Sequence, residues 1–243
     1  FPTEEVVLPS KGLLYSKDSP LSKGIVEIKY MTAKEEDILT NQNYINNGTV
    51  IDKLLQSLIV TDINYNDLLI GDKNTILIAA RILGYGADYE FKWDNEKVSV
   101  DLTKLSEQEI NPDLIIEGKN EFSYKLPFAQ KTITFKLLTH GDDVKIQNEI
   151  KGLQKYNKQF SSDITTRLKH QITSIEGDYD QSKIREFVDN SLLARDARDL
   201  RKHISKVNPD VDLNVDLELS NGATQKDVSL PIGVGFFWPD AGI

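Results

Sequence analysis

The chain has 243 residues, of which 39% are hydrophobic and 28% charged, with a net charge of −9 and no cysteine. This is long enough for one large domain or two small ones, each with a stable core, and the balance is that of a soluble globular protein. The negative charge leaves no cationic field for phosphates and argues against nucleic acid as a main partner, while the lack of cysteine excludes disulfides, thiolate zinc sites and cysteine nucleophiles.

Residues 1–30 are expected to form an extended arm. Pro9-Ser10-Lys11-Gly12 and Ser19-Pro20 are turn signals, and Val26, Ile28 and Tyr30 then alternate with Glu27 and Lys29 as a short strand. A polar segment of this kind buries little of its own surface, so it lies either on the rest of the protein or on a partner. The opening Phe1-Pro2-Thr3-Glu4-Glu5 lacks the basic-then-apolar pattern of a signal peptide. No stretch approaches the roughly 20 apolar residues of a membrane span.

A helical segment is expected over 31–84. Thr32 and Glu35 have capping-box spacing, Val50, Leu54, Leu55 and Leu58 mark one face of a second helix, and Ile76, Leu77, Ala80 and Leu83 mark a third from about Lys73. Gly84 is the expected residue beyond its end. At Tyr85 the period changes to two. Tyr89, Phe91 and Trp93, a turn at Asp94-Asn95-Glu96-Lys97, then Val98, Val100 and Leu102 make a hairpin. With strands Phe122-Leu126 and Thr132-Leu138, residues 85–138 form a small β module.

Residues 139–208 are expected to be helical again. One helix runs from His140 to about Gln159, and Ile164, Leu168, Ile172 and Ile175 space out another that ends at Gly177. A further helix over 181–206 is broken near Asn190-Ser191 and stops at Asn208-Pro209. Residues 209–243 begin with a regular alternation: Val211, Leu213, Val215, Leu217 and Leu219 face one way, and Asp210, Asp212, Asn214, Asp216 and Glu218 the other. Asn221-Gly222 turns the chain and Lys226–Ile232 returns. The closing Phe236-Phe237-Trp238-Pro239 sits in a tail too short to bury it alone. Arm, helices, small antiparallel sheet, helices and C-terminal β-hairpin, segregated along the chain, spell α+β.

Recognisable chemistry is sparse. Gly71-Asp72-Lys73-Asn74 lacks phosphate-loop spacing, and Gly84-Tyr85-Gly86 and Gly233-Val234-Gly235 lack the third glycine of a dinucleotide site. His140, His170 and His203 are isolated, and Asp178 and Asp180 lack the closing Glu of a calcium loop, so a turn into a helix is the simpler reading. Arg195, Asp196, Arg198, Asp199, Arg201 and Lys202 mix signs on one helix, with Arg195 and Asp199 at pairing distance; a solvated face is expected, an acidic partner the alternative. The acids at 210–218 keep an exposed strand soluble or dock on a basic partner. The aromatic tail either plugs its own core or forms an interface.

Several segments, in order, resemble the T4-like phage baseplate protein family. These are Leu8-Pro9-Ser10-Lys11-Gly12-Leu13-Leu14-Tyr15, Met31-Thr32-Ala33-Lys34-Glu35-Glu36-Asp37-Ile38-Leu39 and Ala79-Ala80-Arg81-Ile82-Leu83-Gly84-Tyr85-Gly86. Lys131-Thr132-Ile133-Thr134-Phe135-Lys136-Leu137-Leu138, Ala194-Arg195-Asp196, Pro231-Ile232 and Phe236-Phe237-Trp238-Pro239 complete the set. The resemblance implies a hub or assembly component of a contractile tail baseplate, without catalytic residues. Some members carry Cys pairs in hairpins like those at 94–97 and 220–224; here these turns hold none, so no zinc and no other cofactor is expected.

Partner contacts are therefore expected at Leu8, Leu13 and Tyr15 in the arm, at Asp210, Asp212, Asp216 and Glu218 on the acidic strand, and at Phe236, Phe237 and Trp238 in the tail. Other phage baseplate, hub or tail proteins would be the partners, in a hetero-oligomeric assembly located in the virion baseplate and, during assembly, in the host cytoplasm. A transient assembly factor that leaves the particle is the alternative. A wall hydrolase is a third reading, requiring an acid/base pair in a cleft that the sequence does not display.

Overall fold

The N-terminal residues close on themselves as a hairpin. The structure, a computed structural model, describes residues 2–158 and 161–238; the expectations placed on Phe1, Gln159, Pro239 and the last residues lie outside these. Strand β1 (Thr3–Val7) pairs antiparallel with β2 (Ile25–Lys29), Val6 opposite Val26. Alternation sends Val6, Val26 and Ile28 inward. Residues 8–24 between them are not extended but form a tight loop, in which Leu8 N–H donates to Gly24 O at 2.9 Å. Gly12 and Gly24 have φ of 75° and 71°, and a Cβ on either would strike backbone of the opposite limb, at Ser22 and Lys11 respectively. Only glycine meets both demands.

Helices α1 (Ala33–Leu39), α2 (Gln42–Asn46) and α3 (Val50–Leu58) follow, and α3 buries Val50, Leu54, Leu55 and Leu58 as its spacing predicts. Helix α4 (Ile70–Tyr85) begins ahead of the expected Lys73 and runs through Gly84. Gly84 faces the Met31 side chain, so its smallness serves packing; the residue that ends the helix is Gly86, whose φ of 84° suits glycine.

Strands β3 (Asp88–Trp93) and β4 (Glu96–Asp101) form the expected hairpin, turning at Asp94 and Asn95 with φ of 46° and 64°. The two-residue β5 (Glu107–Gln108), then β6 (Phe122–Lys125) and β7 (Thr132–Phe135), lead to α5 (His140–Tyr156) and α6 (Asp163–Gln171). The continuous helix expected through Ile175 is not formed. The chain leaves α6 at Ile172 and becomes strand β8 (Ile172–Ile175), which pairs with β7 and makes its sheet three-stranded. Thr134 Oγ1 lies 2.7 Å from Thr173 Oγ1 and 2.5 Å from Ser174 Oγ, a polar seam that a helix would not provide.

Helices α7 (Gln181–Asn190) and α8 (Ala194–Val207) are separated at the expected break. Strand β9 (Asp210–Val211) pairs with β5, β10 (Asn214–Glu218) with β11 (Thr224–Ser229), and the short α9 (Val234–Phe237) follows. The single long strand read at 211–219 is thus interrupted: β9 joins one partner and β10 another, with a bulge between Val215 and Leu217. The architecture is α+β. One hydrophobic cluster runs from Val6 to Phe237, and a smaller one, Val98 with Leu217 and Val228, forms where the hairpins β3–β4 and β10–β11 pack together.

Candidate docking surfaces

Four acidic side chains are buried among the described residues: Glu35, Asp72, Asp142 and Asp196. Each is the third residue of its helix, and each precedes by four positions a buried apolar residue, namely Leu39, Ile76, Ile146 and Leu200. The carboxylate therefore lies on the apolar stripe at the end where unpaired N–H groups and the helix dipole offset the burial of an anion. Each acid also fastens a distant or preceding segment. Asp72 accepts from Ser10 N (3.1 Å), Ser10 Oγ (2.6 Å) and the Tyr15 hydroxyl (2.6 Å). Asp196 accepts from the backbone of Phe128 (2.9 Å) and Ala129 (2.8 Å). Asp142 takes Lys136 Nζ at 2.8 Å, and Glu35 takes Lys29 Nζ at 2.7 Å, Ser57 Oγ at 3.0 Å and Thr32 N at 2.8 Å.

Protonation follows from these partners. Burial by itself would raise the Glu35 carboxyl, but its donors outweigh burial and lower it from 4.5 to about 2. At Asp72 burial wins, and the carboxyl is raised from its ordinary value despite three donors. A depressed carboxyl stabilises the fold above its unfolded pKa and ceases to do so as pH falls towards the folded value. The stability difference between wild type and Glu35→Gln, measured by urea unfolding, is therefore expected to be constant above about pH 5 and to shrink steadily below it. A difference that does not change with pH over this range refutes the assignment.

The C-terminal segment is held by Arg81, which is 1% exposed. Its guanidinium donates to the carbonyls of Gly86 and Asp88 and lies 5.7 Å from the Tyr89 ring and 5.8 Å from that of Phe236. Phe236 meets Tyr89 edge-on at 4.7 Å, and Tyr89 donates its hydroxyl to Pro231 O at 2.6 Å. Phe236 and Phe237 are 1% and 0% exposed. The tail thus packs into the core of its own chain. Leu8 and Tyr15 are also buried, at 0% and 7%, because the loop carrying them is drawn onto Asp72. Leu13 and Trp238 are half-buried.

The acidic strand divides. Asp210 is partly buried, and Asn74 donates to it at 3.1 Å. Asp216 and Glu218 are exposed on β10, joined by Asp227 of β11, whose N–H donates to Asp216 at 3.0 Å, and Asp212 is exposed in the link just ahead of β10. The inner face packs on β3–β4. At the tips, Glu96 accepts from Ser220 N at 3.0 Å and Ser220 Oγ at 2.8 Å, linking the two hairpins end to end.

A family model described as T4 bacteriophage base plate protein matches residues 9–238. The chain belongs to this family. Comparisons with curated proteins and with solved structures returned no match. Membership implies phage proteins as partners and a place in the baseplate. Among the described residues no helix is long and apolar enough to cross a membrane.

In this base plate family member the segments 79–86 and 236–238 meet directly, while those at 8–15 and 194–196 fasten onto residues outside the resembling segments. The loop of Ser10 and Tyr15 lands on Asp72, Arg81 holds Phe236, and Asp196 grips the turn that leads into β7. Arg195, expected to pair with Asp199, instead lies 5.1 Å from the Phe128 ring. The three histidines stay apart. His140 Nδ1 is 3.2 Å from Lys73 Nζ, His170 pairs with Glu149 at 2.7 Å, and His203 stacks on Tyr124 at 4.4 Å. Asp180 caps α7 through Ser182 N, and Asp178 pairs with Lys183 at 2.5 Å. No group of three or more His, Asp or Glu suited to a metal occurs among the described residues.

Sequence reasoning placed Glu35 in its capping box but missed that it, Asp72, Asp142, Asp196 and Arg81 are buried. A signal was present for the acids: an Asp or Glu four residues ahead of an apolar helical stripe continues that stripe. Asp72 was instead weighed as part of a failed phosphate loop, and Asp196 as part of a solvated face.

Proposed function

We propose that this chain is a structural component of the hub or inner baseplate of a contractile tail, retained in the virion and acting through protein–protein contacts, not chemistry. The observation that carries the reading is the family match over 9–238, joined to the use of the matching segments as internal fasteners. Asp72 and Asp196, two acids buried deeply enough for general acid–base work, spend their oxygens on donors of their own chain. That supports a scaffold and not an active site.

The contacts we assign are the exposed acids Asp212, Asp216 and Glu218, with the accessible edges of Leu13 and Trp238. A retained subunit buries on the order of 1,000 Å² or more against its neighbours. Mass spectrometry of purified particles is expected to find the chain at a fixed ratio to other baseplate proteins. Its absence from particles, together with its recovery on baseplate intermediates from infected cells, would make it a transient assembly factor instead.

A further inference from the structure

Helix α5 outruns the core that supports it. Ile146 and Ile150 are buried, and Leu153, next on the same stripe, is 38% exposed, while Tyr156 reaches 93%. Ion pairs tie only the first part of the helix to its neighbours: Arg167 to Asp143 at 3.2 Å, and His170 and Arg185 to Glu149 at 2.7 Å each. From Lys151 to Lys158 every residue except Gly152 is exposed. This stretch carries Lys151, Lys155 and Lys158 and no acid, in a chain of net charge −9. None of the three lysines has an ion-pair partner among the described residues. The helix dipole gives lysines a reason to occupy a last turn. It gives none for a tyrosine held in water beside them, which is the composition of a contact surface.

The same molecule displays the complement. The hairpin β10–β11 presents Asp216, Glu218 and Asp227 beside a single exposed Lys226, and Asp212 stands just ahead of β10; all four acids are exposed and without an ion pair among the described residues. We propose that the projecting end of α5 docks on this acidic face of a second copy of the chain, Tyr156 and Leu153 packing between the lysine–carboxylate pairs. The two patches are different surfaces, so the association is head-to-tail, and it closes into a ring or extends according to the rotation between copies. This deepens the structural-subunit reading by naming one partner. Its test uses the purified full chain, so it stands or falls separately from whether the chain is found in particles.

Sedimentation velocity across a concentration series is expected to show self-association that weakens about tenfold when salt rises from about 0.05 M to about 0.5 M, because the facing charges are solvent-exposed. Lys151→Glu/Lys155→Glu/Lys158→Glu should be monomeric, and so should Asp212→Lys/Asp216→Lys/Glu218→Lys. An equimolar mixture of these two variants should associate again, since each then meets its opposite. Tyr156→Ala alone should weaken association about fivefold with unchanged circular dichroism. A wild type that stays monomeric at low salt, including one that binds only a different acidic protein, overturns the proposal. So do charge-reversed variants that associate as well as wild type, or a mixture of folded variants that does not.

Discussion

Replacing Asp72 with alanine is expected to lower the unfolding free energy by about 3 kcal/mol, near the upper end for a single substitution. The change removes the acceptor of the Ser10 amide and of the Ser10 and Tyr15 O–H groups at once, all in the core, although the two hydroxyls still accept from Gly12 N and Leu69 N. Each buried polar group left without a partner costs about 1–3 kcal/mol, and the relief of no longer burying a carboxylate offsets part of the sum. Asp72→Asn should cost only about 1 kcal/mol. It keeps an acceptor for Ser10 N and offers a donor to Ser10 Oγ, losing only the bond from Tyr15. Urea unfolding of both variants separates hydrogen bonding from side-chain volume. If alanine and asparagine are equally harmful, or both harmless, Asp72 is not the fastener. Local hydrogen exchange should rise first in residues 8–24, because Asp72 holds this loop at both Ser10 and Tyr15.

The second large effect is expected at Phe236. Phe236→Ala should cost about 4 kcal/mol in the isolated chain, through lost burial, the cavity left behind and the loss of edge-on contact with Tyr89. It also opens one wall around the Arg81 guanidinium, whose buried Nε has no hydrogen-bond partner among the described residues. Phe236→Leu, which keeps most of the volume, should cost under about 2 kcal/mol. Thermal or urea unfolding of the purified chain decides the matter. Were the aromatic tail a docking element, Phe236→Ala would leave the free chain as stable as wild type and damage only assembly. The burial of Phe236 and Phe237 leads to the opposite expectation.

Much of the fold was legible because it rests on local rules. The stripe of α3 was read residue for residue, since helical spacing and burial are the same statement when one face meets a core. The β3–β4 hairpin was legible because strict alternation flanks an Asp-Asn turn that tolerates positive φ. The gap between α7 and α8 and the stop at Asn208-Pro209 were marked by residues that break helices. The exposed acids of the last hairpin were visible too, as the polar half of a period-two pattern.

What local rules could not decide were the matters settled by distant partners. Ile172 and Ile175 continue the spacing of Leu168, and both helix and strand satisfy it. The open edge of β7, far back in the chain, selected strand. The aromatic tail and the N-terminal segment were equally suited to a partner or to their own core. Arg81 and Asp72, each buried in α4, drew them inward, because a buried charge is tolerated only where donors, acceptors or aromatic faces enclose it. Composition, periodicity and turn chemistry thus determined by themselves that this is an α+β protein with an acidic outer hairpin face. Which apolar ends were core, whether an isoleucine pair would continue a helix or join a strand, and how far α5 extends beyond its support depended on contacts between residues remote in sequence, whose free energy no local pattern encodes.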